Sequence, residues 1–186
     1  NGLPVVVAAR VVMGAAWGLG HAHKHKVVHR DVSPGNLMIG ITGEVKVIDF
    51  GVALLDGRRR MTQVTAAGIP RLIYGKPGYY SPEQIKGLEL DGRADMYSLG
   101  LCLIELITGR PALPAQTPIS DLLVVREQLV DQLYDRYGHF PHELLKVIYR
   151  MIQMDPKDRY QDMATVVKKI EGALFEAPRS ETRDYL

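Results

Sequence analysis

Two polar segments, HRDVSPGN at residues 29–36 and DFG at residues 49–51, constrain this chain more than any other feature. The first segment offers the carboxylate of Asp31 and, five residues later, the carboxamide of Asn36. The second offers the carboxylate of Asp49 directly after the mainly apolar run 45–48. Together they supply one base and two oxygen ligands suited to a hard cation, which indicates a reaction site.

The composition is that of one soluble globular domain. A chain of 186 residues can bury roughly 70% of its extended-chain surface. Its hydrophobic content of 46% and charged content of 24% are ordinary for such a domain. The net charge of +2 is too small to predict binding to nucleic acid.

The single cysteine and the apolar start limit the class further. Cys102 excludes an internal disulfide and is expected in the core, which fits a reducing, cytoplasmic setting. Residues 5–19 are apolar, but Arg10 interrupts them and they fall short of the about 20 residues that cross a membrane. We therefore expect a buried helix and no membrane segment. Because the chain begins with Asn1, we also expect it to be a fragment of a longer protein.

Periodicity and turn signals predict a mainly α fold with a small β-hairpin region. A helix is expected over residues 5–25, followed by short strands at 37–39 and 45–48 with a turn at 42–44. Residues 52–80 show no period and predict a long basic loop. Later helices are expected to begin at Pro82, with Ser81 as N-cap, and to cover residues 95–108 (closed by Gly109), 119–137, 142–154 and 163–175. We expect one domain over residues 1–175 and a disordered tail over 176–186.

Four histidines, at positions 21, 23, 25 and 29, raise the question of zinc. On a helix, alternation by two spreads side chains around the axis instead of gathering them on one face. No cysteine or carboxylate lies among residues 21–29. We therefore expect no zinc site here.

Five motifs occur in a fixed order: HRD-x4-N, DFG, SPE at 81–83, DMYSLG at 95–100 and DPKDR at 155–159. With this order and spacing, residues 5–175 resemble the C-terminal lobe of protein kinases, and in particular bacterial serine/threonine protein kinases. The resemblance implies transfer of the γ-phosphoryl group of ATP to a hydroxyl of a protein substrate, with Mg²⁺. It also implies a mainly α lobe.

The resemblance assigns roles to individual residues. It implies that Asp31 is the base, that Asn36 and Asp49 hold Mg²⁺, and that Met38 lies under adenine. It also implies three structural features. His29 and Phe50 belong to an apolar column between the lobes, and Glu83 and Arg159 form a buried ion pair. Asp95 anchors the backbone of the catalytic loop, which is the segment 29–36.

Arg30 implies regulation, because in relatives with this arginine it pairs with a phosphate on the activation loop. Thr62 and Thr65 are the candidate acceptors, although both could be ordinary loop residues. No acidic residue lies between Gly57 and Pro82. The basic residues in that stretch, which could be solvated or could attract an acidic substrate or a phosphothreonine, are Arg58, Arg59, Arg60, Arg71 and Lys76.

Two departures from the family pattern concern the cation beside the transferring phosphate. Serine/threonine kinases usually have lysine at the position of Ser33, and tyrosine kinases have arginine at the position of Gly35. The usual threonine after the first glycine of the segment preceding SPE is Lys76 in this chain. We hypothesise an exchange in which Lys76 supplies the cation and Ser33 supplies the hydroxyl, both within the catalytic site.

Only 28 residues precede His29, and none of them forms a glycine-rich phosphate loop after a strand. We therefore expect the N-terminal lobe to be a partner outside this chain, and the fragment to be inactive alone. The alternative is a non-catalytic docking module, but retention of Asp31, Asn36 and Asp49 favours the enzyme. A small-molecule phosphotransferase is disfavoured by the SPE segment and the helices after it.

Overall fold

The computed structural model describes residues 2–50, 60–64, 70–74, 76–114 and 116–176. This part of the chain is mainly helical with two short antiparallel strand pairs, which confirms the predicted fold class. The helices are α1 (Val5–Lys24), α2 (Pro82–Ile85), α3 (Gly92–Thr108), α4 (Leu122–Asp131), α5 (Leu133–Tyr137), α6 (His142–Met151) and α7 (Met163–Glu176). The strands are β1 (Leu37–Ile39), β2 (Val45–Val47), β3 (Arg60–Val64) and β4 (Pro70–Tyr74).

The core lies where α1 crosses α3 and α7, with α6 closing the far side. Small side chains on the buried face of α1 let these helices approach closely; they are Ala8, Ala9, Ala15 and Ala16, all fully buried. Within the described residues, α1 is long and apolar enough to span a membrane, and 44% of its apolar window is buried inside the fold. Its packing confirms the predicted core helix.

The α3 helix runs through the centre of the lobe. It is buried from Ala94 to Ile104, and Cys102 lies fully inside, as predicted. Burial raises the pKa of the Cys102 thiol. The helix begins at Gly92, three residues before the predicted start, because the Asp91 side chain accepts a hydrogen bond from Arg93 N. It ends at Gly109, whose left-handed φ of 70° suits glycine.

Ser81 is the N-cap of α2, as predicted. Its hydroxyl accepts a hydrogen bond from Gln84 N at 3.3 Å, and the Gln84 side chain accepts one from Ser81 N at 2.9 Å. This reciprocal capping box satisfies two backbone donors that the helix itself cannot use. It fixes the direction in which the chain enters α2.

Three further predictions of secondary structure were wrong. Residues 60–64 and 70–74, expected in a loop, pair as antiparallel strands in a register that joins Arg60 to Tyr74. The helix expected over 119–137 divides into a 3₁₀ turn, α4 and α5, because the backbone leaves helical geometry at Gln132. The helix expected to reach residue 154 ends at Met151, shortly before Pro156. The tail expected over 176–186 begins at least one residue later, since Glu176 is the last residue of α7. Residues 177–186 and Thr65 lie outside the described residues.

Candidate active site

A buried aspartate anchors the HRD segment to α3. Asp95 is 1% exposed, and its two carboxylate oxygens accept hydrogen bonds from the backbone N–H groups of His29 and Arg30, both at 2.8 Å. His23 Nε2 donates a third hydrogen bond to this carboxylate at 2.7 Å. Three donors compensate the buried charge and fix the loop backbone where its functional residues begin.

His23 is a positioning residue that sequence reasoning missed. Since a carboxylate only accepts, the Asp95 contact requires the proton on His23 Nε2. The sequence offered this histidine only as a candidate zinc ligand, and the spacing from His23 to Asp95 carries no local signal. In the described part of the chain, no three His, Cys, Asp or Glu side chains are grouped to hold a metal.

His29 joins the HRD segment to the DFG segment. Its Nδ1 accepts a hydrogen bond from Asp31 N at 3.2 Å, so the proton belongs to Nε2, which donates to Ile48 O at 2.8 Å. The ring centroid lies 4.6 Å from that of Phe50. The side chain is 1% exposed, so these contacts fix one tautomer and one orientation.

The carboxylate of Asp31 is held on two sides. Its Oδ1 accepts a hydrogen bond from Lys76 N at 3.2 Å, and its Oδ2 accepts one from Asn36 Nδ2 at 3.3 Å. The same amide nitrogen donates to Asp31 O at 2.7 Å. The side chain is only partly buried, which leaves it accessible to a substrate group.

Asn36 and Asp49 fit a magnesium site by their chemistry. Because the side-chain Nδ2 of Asn36 donates to Asp31, the side-chain oxygen Oδ1 is the atom left to bind a cation. The backbone carbonyl oxygen of Asn36 accepts a hydrogen bond from Ile48 N at 3.0 Å. Asp49 is exposed and has a left-handed φ of 62°, a conformation that costs energy and is concentrated at functional sites. Two oxygen donors suffice, since Mg²⁺ keeps several waters and phosphate oxygens.

Lys76 reaches over the catalytic loop. Its Nζ donates a hydrogen bond to Ser33 Oγ at 3.0 Å. A Cβ atom at position 35 would lie 2.9 Å from this Nζ, so Gly35 leaves the space that the amine occupies. Lys76 and Ser33 are therefore brought together at the position where the family pattern has lysine and threonine.

Arg30 also has a left-handed backbone, with φ of 71°. Gln84 Nε2 donates to Arg30 O at 2.8 Å, so the capped start of α2 supports this strained residue. The Arg30 side chain is exposed. Thr62 is described only through its backbone pairing with Leu72, so the activation-loop role of Arg30, Thr62 and Thr65 stays a prediction.

Glu83 and Arg159 form a buried bidentate ion pair, as the resemblance implied. The two nitrogen–oxygen distances are 2.7 and 2.8 Å, and Arg159 is fully buried. Arg159 also donates to Gln153 O and Arg93 O, each at 2.7 Å. Its guanidinium lies 4.8 Å from the ring centroid of Tyr97, in a cation–π contact. The pair ties the SPE segment to the start of α3 and to the segment before α7.

The side of the site expected to face the nucleotide is open. Met38 and Ile39 on β1 are 52% and 53% exposed, and Ile41 in the following turn is fully exposed. A cleft of about 870 Å³ lies elsewhere, between the C-terminal end of α1 and the starts of α3 and α7, and contains none of Asp31, Asn36 or Asp49. Of these three residues, Asp49 is exposed, Asp31 is partly buried and Asn36 is 8% exposed.

Comparison with known proteins supplies the family. The model of the protein kinase domain matches residues 5–170. The chain belongs to the protein kinase family. Its curated relatives include the serine/threonine-protein kinase PknB of Mycolicibacterium smegmatis, 35% identical over 92% of this chain and 28% of the relative. A probable serine/threonine-protein kinase of Streptomyces coelicolor is 33% identical over 92% of this chain and 25% of the relative.

Solved structures show the same fold. A double mutant of the Mycobacterium tuberculosis PknI kinase domain superposes with a TM-score of 0.66 at 24% identity, and covers 93% of this chain and 56% of that domain. Another PknI kinase-domain structure gives 0.63 at 26% identity, with 93% and 57% covered. The resemblance to bacterial serine/threonine kinases is thereby confirmed. The chain spans about a quarter of its curated relatives and somewhat more than half of a solved kinase domain.

Proposed function

We propose that this chain carries the catalytic lobe of a serine/threonine protein kinase that transfers the γ-phosphoryl group of ATP to a protein hydroxyl. The observation that carries the proposal is the Asp31 carboxylate, held by Lys76 N and Asn36 Nδ2 on a loop that Asp95 anchors. A fixed, partly exposed carboxylate is what an accepting hydroxyl needs for removal of its proton.

Asn36 and Asp49 would hold the magnesium ions. ATP with Mg²⁺ supplies the phosphoryl group and neutralises charge on the phosphate oxygens. The chain's own contribution is a carboxylate and an amide oxygen whose spacing is kept by the Ile48 N–Asn36 O hydrogen bond and by the packing of Phe50 on His29. These contacts hold the HRD and DFG segments in one arrangement.

The amine of Lys76 takes the place of the lysine missing at position 33. A cation fixed beside the accepting hydroxyl stabilises negative charge that develops during transfer. The hydrogen bond from Lys76 Nζ to Ser33 Oγ and the space left by Gly35 support this position for the amine. The backbone N–H of Lys76, which binds Asp31, is independent of the side chain.

The second half of the ATP site belongs to an N-terminal lobe outside these residues. The exposed Met38, Ile39 and Ile41 form an apolar surface beside the magnesium ligands. Covering it would remove apolar area from water next to the nucleotide, which favours docking of such a lobe. The coverage of somewhat more than half of a solved kinase domain supports the same division.

The test uses the full-length protein that contains this chain, with Mg-ATP and a generic protein substrate. Asp31→Asn removes the base but keeps the shape, so we expect kcat to fall by about 10²–10⁴ while the KM for ATP stays unchanged. Asp135→Asn, an exposed aspartate on α5, is the matched control and should keep wild-type kcat. Phosphate transfer is measured with radiolabelled ATP.

Wild-type kcat in the Asp31→Asn protein would contradict the proposal. A different result would favour the docking module: a wild-type protein that transfers no phosphate, together with an Asp31→Asn protein that binds a partner protein as tightly as the wild type does.

A further inference from the structure

Arg126 on α4 is fully buried but has no carboxylate partner within the described residues. Instead, its guanidinium donates to three backbone carbonyl oxygens. Nε binds Tyr80 O at 2.8 Å, one terminal nitrogen binds Pro77 O at 2.8 Å, and the other binds Leu122 O at 2.7 Å. Burial lowers the pKa of this guanidinium.

A buried charge of this kind is costly, and a leucine at the same place would pack without that cost. The three hydrogen bonds show what the arginine does that a leucine could not do. Pro77 is the first residue of the 3₁₀ turn Pro77–Tyr79 and Tyr80 is its C-cap, so the two residues bound the turn; Leu122 is the first residue of α4. The planar fork of a guanidinium can span these carbonyls at once, whereas a lysine amine is a single point.

The turn held by Arg126 directly follows Lys76. Tyr79 fixes the same turn to α3, because its hydroxyl donates to Glu105 and Ser98 Oγ donates to Tyr79 O at 2.7 Å. Burial and the Glu105 contact raise the pKa of the Tyr79 phenol, which keeps its proton available for this bond. The turn therefore has one attachment to α3 and another to α4, and only the second runs through a buried charge.

We propose that Arg126 is a positioning residue that fixes the Pro77–Tyr79 turn against α4 and thereby keeps Lys76 in contact with Asp31 and Ser33. Loss of the guanidinium removes its hydrogen bonds to Pro77 O and Tyr80 O, so the turn can move away from the catalytic loop. The Lys76 N–H then leaves Asp31 Oδ1, and the amine leaves Ser33. The amine's part in catalysis rests on the proposed function, whereas the backbone contact does not.

The test compares Arg126→Gln and Arg126→Lys with Arg136→Gln in the full-length protein. Arg136 is the matched control, because it is exposed and its guanidinium contacts the Gln132 side chain on its own helical segment. Hydrogen exchange of the Lys76 and Tyr79 amides reports the turn, and kcat and the KM for ATP report the reaction. All measurements are made at a temperature where circular dichroism shows each variant folded.

For Arg126→Gln we expect exchange at Lys76 to accelerate by at least about tenfold and kcat to fall by at least about tenfold. The KM for ATP should stay within about twofold, since the magnesium ligands are untouched. Arg136→Gln should change none of these. A variant with a lower melting temperature but wild-type exchange at Lys76 and wild-type kcat would reduce Arg126 to a packing residue and overturn the proposal.

If Arg126→Gln does not fold, Arg126→Lys decides. One amine cannot bind both ends of the turn, so faster exchange at Lys76 is still expected, by a smaller factor; wild-type exchange overturns the proposal. Lys76→Met separates this inference from the proposed function. If Lys76→Met keeps kcat while Arg126→Gln accelerates exchange, the catalytic role of the amine fails and the positioning role of Arg126 stands. If Lys76→Met lowers kcat while Arg126→Gln leaves exchange at Lys76 unchanged, only the positioning role is overturned.

Discussion

The catalytic loop and the β1–β2 strand pair are neighbours, yet they are held very differently. The loop backbone is fixed by buried groups: Asp95 binds His29 N and Arg30 N, and Gln84 binds Arg30 O. On β1, Met38 and Ile39 are about half exposed. The HRD loop is thus held by buried hydrogen bonds, whereas the β1 surface, which we propose lies on the nucleotide side, is open to solvent.

The largest effect on stability should come from the buried Glu83–Arg159 ion pair. Glu83→Gln leaves the Arg159 guanidinium without its carboxylate, and loss of one partner of such a pair costs about 3–5 kcal/mol in the free energy of unfolding. Urea unfolding of this chain measures the change. The matched control is Glu143→Gln, which breaks the exposed pair with Lys146 and should leave the midpoint unchanged.

Equal midpoints for the two glutamine variants would contradict the comparison. They would mean that the burial of Glu83 and Arg159 does not stabilise the region beneath the catalytic loop.

A smaller effect is expected at the capping box. Ser81→Ala removes the hydroxyl that accepts from Gln84 N, which costs about 1 kcal/mol for a helix N-cap. Because Gln84 also supports Arg30 O, hydrogen exchange around Arg30 should accelerate as well. Ser120→Ala, at an exposed serine, is the control and should change neither quantity. A Ser81→Ala protein with wild-type stability would show that the cap does not support the loop.

The smallest effect is expected from nucleotide binding at the exposed surface of β1. If half of the nucleotide site lies outside these residues, as we propose, Mg-ATP should not measurably raise the melting temperature of the 186-residue chain. Binding with Kd equal to the ligand concentration would already add about 0.4 kcal/mol. A clear thermal shift that Asp49→Ala abolishes would show that this lobe binds the nucleotide unaided.

Much of the fold could be predicted because local signals agreed with the tertiary structure. The start of α2 at Ser81-Pro82 and the end of α3 before Gly109 could be predicted, because N-capping and the left-handed conformation of glycine depend on the local sequence. The β3–β4 pair was missed because its strands lack an alternating pattern and depend on pairing with each other. The break at Gln132 was missed because glutamine is an ordinary helix residue.

Some residues of the candidate site could likewise be predicted from the sequence, and others could not. Roles could be predicted for Asp31, Asn36 and Asp49 because the family pattern names these residues, and they stay predictions. The hypothesised proximity of Lys76 and Ser33 is seen in the Nζ–Oγ hydrogen bond. His23 and Arg126 were missed, because their partners lie 72 and 46 residues away in sequence. No local pattern around His23 or Arg126 indicates the distant group that each side chain contacts in the tertiary structure.

The last test addresses the proposed role of the Lys76 amine as the cation that is missing at position 33. In the full-length protein, Lys76→Thr removes the amine but keeps the backbone N–H on Asp31, so kcat should fall at least about tenfold, or roughly 1.4 kcal/mol. Adding Ser33→Lys to that variant moves the cation to the position usual in the family and should restore most of kcat. We expect both this loss and this recovery; a Lys76→Thr enzyme with wild-type kcat would show that the amine does not supply the cation.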